Sequence, residues 1–221
     1  MLLSESVGIL GALQRKFLDR VKTSTDRVTS MIDQIVQITT METGSLKLTP
    51  EPVSLSVVID DTISSTSNQM REKEIIIRVD LPEELPSLNT DKDALQQILL
   101  HLFQNAGAAT PVDGEISVRA KVDDNDNVGD EYVLVQVTDS GGGIPEEELP
   151  RVFSRLYRAD NPLIQGVGDT GVGLSIAKTL TEALGGRIWV DSEIGYGATF
   201  SILLPVSQQE NSFNGRGETP E

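Results

Sequence analysis

The chain has 221 residues, and its 34 acidic against 18 basic side chains give a formal charge of −16. That balance argues against a nucleic-acid partner, because the basic residues do not cluster to overcome repulsion by a polyanion. With no cysteine and one histidine, disulfides, thiolate metal sites and His-rich metal clusters are excluded, and the cytoplasm is the expected compartment. No apolar run reaches the ~18–20 residues that span a bilayer, and Met1 is not followed by a secretory signal, so no membrane contact is expected of this region.

From Ile9 to about Glu42, the residues Leu10, Leu13, Phe17, Val21, Val28, Met31, Ile35 and Ile38 recur mostly at three- and four-residue steps. This is the period of one amphipathic helix. At 1.5 Å per residue it would run about 50 Å, and its narrow apolar stripe asks for a partner helix. Gly8 and the preceding "LLSES" read as a turn, which makes this helix the second arm of an antiparallel hairpin in a dimer-forming bundle. A core helix of a larger bundle is the alternative.

Gly44, Pro50 and Pro52 in "METGSLKLTPEPVSL" mark a boundary, with a short strand expected through Leu46 to Leu48. The division is therefore 1–45 for the hairpin arm, 46–205 for a second domain and 206–221 for a disordered polar tail. Within the second domain the pattern predicts a helix over Ser54 to Lys73, a strand over Ile75 to Asp80 and a helix over Asp91 to Ala109. Strands follow at Glu115 to Lys121 and Tyr132 to Thr138, then a short helix near Glu146 to Phe153. A helix from Thr170 to Leu184 and strands at Arg187 to Ser192 and Ala198 to Pro205 complete it. Helices mixed with mostly hairpin-linked strands indicate an α+β fold, a two-layer α/β sandwich.

Three glycine-rich segments stand out. In "VQVTDSGGGIP", Asp139 closes an apolar strand ahead of Gly141, Gly142, Gly143, Ile144 and Pro145. A carboxylate there can accept a hydrogen bond from an exocyclic amine while the glycines let a flat ligand approach, although a plain turn has the same composition. In "GVGDTGVGLSIAKTL", Gly166, Gly168, Gly171 and Gly173 run into an apolar-periodic helix with Thr170 as its candidate N-cap, an anion cradle that lacks the Lys-Ser or Lys-Thr of a P-loop. In "GYGATFSILLP", Gly195 and Gly197 open the last strand or merely form a bend. Between the first two lie Arg151, Arg155 and Arg158, which can neutralise phosphate or pair with Glu146, Glu147 and Glu148.

In this order and spacing, the helix carrying Asn105, "DSGGGIP", the loop with Phe153, "GDTGVGLSIAK" and "GYGATF" strongly resemble the Bergerat-type ATP-binding domain of sensor histidine kinases, relatives of the Hsp90-like ATPases. The resemblance runs nearly to Pro205 and marks residues 8–44 as part of the dimerisation and histidine-phosphotransfer hairpin. It implies an ATP-dependent protein-histidine kinase that works with ATP and Mg2+, with a second copy of itself and with a response-regulator receiver domain. Asn105 would hold the magnesium ion, and Asp139 would bind the adenine amino group beside Gly141, Gly143 and Ile144. Phe153 would anchor a mobile lid, and Arg158 would approach the γ-phosphate. Gly168, Thr170, Gly171, Val172, Gly173 and Leu174 would edge the phosphate site, and Thr199 would line the adenine end.

Departures from the family pattern are His101 in place of an asparagine, Ala108 and Ala109 in place of larger side chains, and Gly142 in place of an apolar residue. The acceptor histidine of the family is missing, so it is expected upstream of Met1 or in another chain. A nucleotide-binding or dimerisation module that signals without phosphoryl transfer is the competing expectation. His101 itself is either a helix residue satisfied within the fold or a supporting group near the phosphates.

Overall fold

The computed structural model describes residues 11, 13–22, 24, 25, 28, 29, 32, 47–124, 131–154 and 171–207. The described residues between 13 and 32 are helical, in agreement with the apolar period, and Leu13, Phe17, Val21, Val28 and Ile32 are 55–67% exposed. Among the described residues no helix is long and apolar enough to cross a membrane.

From residue 51 the described chain runs β1 (Glu51–Val53), α1 (Leu55–Glu72), β2 (Ile76–Asp80), β3 (Leu88–Thr90), α2 (Lys92–Ala109), β4 (Glu115–Asp124), β5 (Glu131–Asp139), a 3-10 turn (Leu149–Arg151), α3 (Gly173–Ala183), β6 (Arg187–Glu193) and β7 (Gly197–Pro205). Five strands form one sheet in the order β2-β4-β5-β7-β6, with β2 parallel to β4 and every other pair antiparallel. The alternation that predicts the strands sets its two faces. Val118 on β4, Val135 and Val137 on β5 and Phe200 and Ile202 on β7 are buried in the core with Leu95, Leu99, Leu102 and Phe103 of α2 and Ile176 and Leu180 of α3. The α+β sandwich expected from the pattern is the observed architecture.

Two local expectations are corrected. The strand expected at Leu46 to Leu48 is displaced: Leu48 is irregular, Leu46 lies outside the described residues, and the strand is Glu51–Val53. Its partner is β3, which the sequence reading missed, and Pro52 is tolerated because β1 is paired on one side only. The helix expected from Thr170 begins instead at Gly173, with Val172 in the cap position and no side-chain cap; Thr170 lies outside the described residues.

Helix α2 is tied at both ends. Asp91 caps its start, Oδ1 accepting from the Ala94 N–H at 2.8 Å while Oδ2 accepts from the N–H and hydroxyl of Thr49 at 2.8 and 3.2 Å. These bonds to the charged form hold the Asp91 carboxyl below its ordinary value although burial opposes them. At the other end the Lys73 Nζ donates to the carbonyls of Gly107, Ala108 and Thr110 at 2.8, 3.0 and 2.9 Å. One cation thus satisfies three acceptors at the negative end of the helix dipole. Replacing it with an apolar side chain leaves those carbonyls short of a donor, so Lys73→Met is expected to lower the unfolding free energy by about 2 kcal/mol, read as a shift in the urea midpoint at unchanged slope.

Candidate functional site

Two of the glycine-rich segments meet where β5 stops and β7 starts, beside the last turn of α2. Asp139, the last residue of β5, is 2% exposed. Its Oδ1 accepts from the Gly141 N–H at 2.9 Å, and its Oδ2 has no partner. Burial raises its carboxyl to about 6, against a downward pull from the backbone N–H groups of Gly141 and Ala198. A buried acceptor left open in this way is costly unless something outside the chain donates to it.

The glycines around Asp139 are there for close approach. A Cβ on Gly141 would lie 2.7 Å from both the Ala109 carbonyl oxygen and Asp139 Oδ1. Gly197, at φ +107, brings its Cα so near the Asp139 carbonyl that a Cβ there would overlap the oxygen. The turn after β5 is then fastened to the β6–β7 hairpin. Gly195 N–H donates to the Gly142 carbonyl at 2.9 Å, Ile144 N–H donates to Ser192 Oγ at 2.8 Å, and Ser192 Oγ donates to the Gly197 carbonyl at 2.7 Å. Farther on, Phe153 meets Phe200 edge to face, with ring centroids 6.2 Å apart. Phe153 is thereby tied to β7.

On the helical side, Asn105 is half-buried on α2, one turn beyond His101 on the same face. His101 is 8% exposed, and its ring lies against Gly173, the first residue of α3. Burial lowers its imidazole to about 4, with a weaker upward pull from Gln104, so the ring is neutral at physiological pH. Gly171, Val172, Gly173 and Leu174 lead into α3, whose first turn has no side-chain cap.

The structure thus gathers Asp139, Gly141, Gly143 and Ile144 at one turn, with Gly141 beside the end of α2, and sets the start of α3 against His101 in the middle of α2. It separates Thr199 from them: the cross-strand neighbour of Asp139 is Ala198, and the Thr199 hydroxyl lies 2.9 Å from that of Thr138, one position away on both strands and so on the opposite face of the sheet. Arg158, Gly168 and Thr170 lie outside the described residues, as do Arg155 and Gly166. Sequence reasoning missed Ser192, whose hydroxyl fastens the turn, and Lys73; neither falls in a motif. Gly197 was visible in "GYGATF", but its role beside Asp139 was not.

No group of three or more His, Cys, Asp or Glu residues that could hold a metal occurs among the described residues. The Asn105 amide oxygen alone suits a cation that takes most of its ligands from phosphate and water, as magnesium does. The open Asp139 Oδ2 suits the amino group of a base.

A family model described as histidine kinase-, DNA gyrase B- and HSP90-like ATPase matches residues 90–208. The adaptive-response sensory kinase SasA of Synechococcus elongatus is 31% identical over 188 residues, 85% of this chain and 47% of its own length. The circadian input-output histidine kinase CikA of the same organism is 31% identical over 206 residues, 92% of this chain and 26% of its own. The chain therefore spans less than half the length of these curated relatives. Among solved structures, full-length ShkA in complex with AMPPNP is similar with a TM-score of 0.76 and 27% identity, over 92% of this chain and 41% of that one.

The two buried titratable groups make opposite demands on stability. Asp139 has its pKa raised from 3.8 to about 6, so the folded state holds its proton longer, and stability falls as pH rises from about 4 to 6 and stays low above that. His101 is lowered from 6.5 to about 4, so its contribution is complete above 6.5 and is lost as pH falls towards 4. Asp139→Asn removes the first effect alone. In urea titrations without ligand the variant is expected to exceed the parent by ~2–3 kcal/mol at pH 7.5, and the two should converge near pH 4. A gap that does not change with pH contradicts the assignment.

Proposed function

Because the chain belongs to the histidine kinase-, DNA gyrase B- and HSP90-like ATPase family, we propose that it is the ATP-binding catalytic region of a two-component sensor histidine kinase. In this reading residues 46–205 bind Mg-ATP and pass its γ-phosphoryl group to a histidine on a dimerisation hairpin, for relay to a response-regulator aspartate. The observation that carries it is the buried Asp139, whose Oδ2 is unpartnered among glycines 141 and 197. The open oxygen accepts from the adenine amino group, beside Gly141, Gly143 and Ile144.

Val172, Gly173 and Leu174 supply the uncapped start of α3 to the phosphates, together with Gly168, Thr170 and Gly171. Asn105 offers its amide oxygen to magnesium, which when bound neutralises charge on the phosphates. Phe153, tied to Phe200, is the fixed end of the segment that brings Arg158 to the γ-phosphate. The protein's contribution is positioning and electrostatics, since phosphoryl transfer in line asks for little covalent help. Thr199, on the other face of the sheet, has no place at the base. The exposed stripe of Leu13, Phe17, Val21, Val28 and Ile32 supports pairing of residues 1–45 with a helix of a second copy. His101, the one histidine of the chain and nearly buried, is not the acceptor; the acceptor lies on another segment.

Calorimetry with Mg-ATP should give saturable binding that Asp139→Asn weakens about ten- to a hundredfold, the value of one charge-assisted hydrogen bond. Radiolabel from γ-labelled ATP should then pass to an added helical hairpin bearing the acceptor histidine. Saturable binding without transfer would replace the kinase by the second reading, a nucleotide-binding signalling module, which the histidine at 101 and the alanines at 108 and 109 favour.

A further inference from the structure

The five-stranded sheet ends in two edge strands, β2 and β6. Every apolar side chain of β6 is at least partly buried, whereas on β2 Ile76 is 54% and Val79 45% exposed. β2 also lacks the usual protections of an edge: it holds no proline or lysine, and its register with β4 runs from Ile76 to Asp80 without a bulge. Ile76 N–H donates to the Gly114 carbonyl. By the alternation of a strand, Ile76, Arg78 and Asp80 therefore turn their backbone groups to β4, and Ile77 and Val79 turn theirs outward. Among the described residues no strand meets them there.

The sequence of this edge is its own antiparallel complement. Turned about a two-fold axis through Val79, "IIRVDLP" sets Val79 opposite Val79, Arg78 opposite Asp80, Ile77 opposite Leu81 and Ile76 opposite Pro82. Each pair is apolar with apolar or cation with anion, the combinations that stabilise neighbouring strands. An axis through Arg78 sets arginine against arginine and Ile76 against Asp80, and one through Ile77 sets Ile76 against Arg78. Arg78 and Asp80 pair within the chain with Glu115 and Arg119, at 2.8 and 3.5 Å, and both remain exposed to a further partner.

We propose that β2 is an interface between two copies of this chain, paired antiparallel about Val79 so that their sheets join edge to edge. The contact is isologous, since the same strand serves both copies. The outward backbone groups of Val79 meet those of Val79 in the second copy and exchange both hydrogen bonds. Opposed residues share a face, so the helices of both copies lie on one side of the joined sheet. The contact uses none of residues 1–45 and adds to helical pairing there rather than replacing it.

Sedimentation equilibrium of the full chain over a range of concentrations tests this. Val79→Pro removes a donor that points away from β4, leaving the ladder within the sheet whole, and should lower the weight-average mass. Arg78→Glu and Asp80→Arg change exposed side chains and set like charges opposite each other across the axis, so each alone should lower the mass as well. An equimolar mixture of those two variants restores opposite charges at every such position and should recover the parental mass. A mass unchanged in Val79→Pro overturns the inference, and so does a mixture that stays as light as its two components.

Discussion

Helix α2 is held by a charge at each end, Asp91 at its start and Lys73 at its finish, and the site depends on that restraint. The helix packs between α1 and α3 and lies over β5. Its side chains fill the core, so a shift along its axis would unseat Leu95, Leu99, Leu102 and Phe103 together. The Lys73 contact adds a reach that packing lacks. It joins the turn after α1 to the carbonyls of Gly107, Ala108 and Thr110, and the carbonyl between them, that of Ala109, is the one Gly141 passes. The ammonium that ends the helix therefore also fixes one wall of the turn after β5.

Asp139 shows the opposite economy. Its surroundings raise its pKa, leave one oxygen unpaired and admit only glycine at 141 and 197. Each of these features is unfavourable for the chain by itself, and each is what a ligand that donates a hydrogen bond in a tight space would relieve. His101 repeats the pattern on the helical side, a buried nitrogen whose neighbour has been reduced to glycine. Stability in this domain is concentrated along α2 and the sheet interior and is relaxed where the strands end.

Much of this was legible in the sequence for an identifiable reason. The long elements α1, α2, β4, β5 and β7 carry strong period, and α2 runs to Ala109 as the pattern predicts, with Asp91 as its cap. The three-residue strands β1 and β3 carry too little pattern to announce themselves, and their pairing bridges the whole of α1 and β2. Thr199 failed through parity. A strand position one residue out of step lies on the wrong face, and only the register with Asp139 shows that Ala198 is the neighbour. The Lys73 contact was beyond reach because no local rule links a lysine after one helix to the last carbonyls of the next.

The edge-to-face pair of Phe153 and Phe200 has a consequence for how this chain can diverge. It pins one end of the segment between 154 and 171, and α3, packed against α2, pins the other. Phe200 is fully buried and Phe153 partly so, and the loss of either ring leaves the other without its edge contact. A substitution at either footing is thus felt across a contact, at Phe200 in the sheet or at His101 on α2, so positions 153 and 173 can change only together with the side chain each one meets.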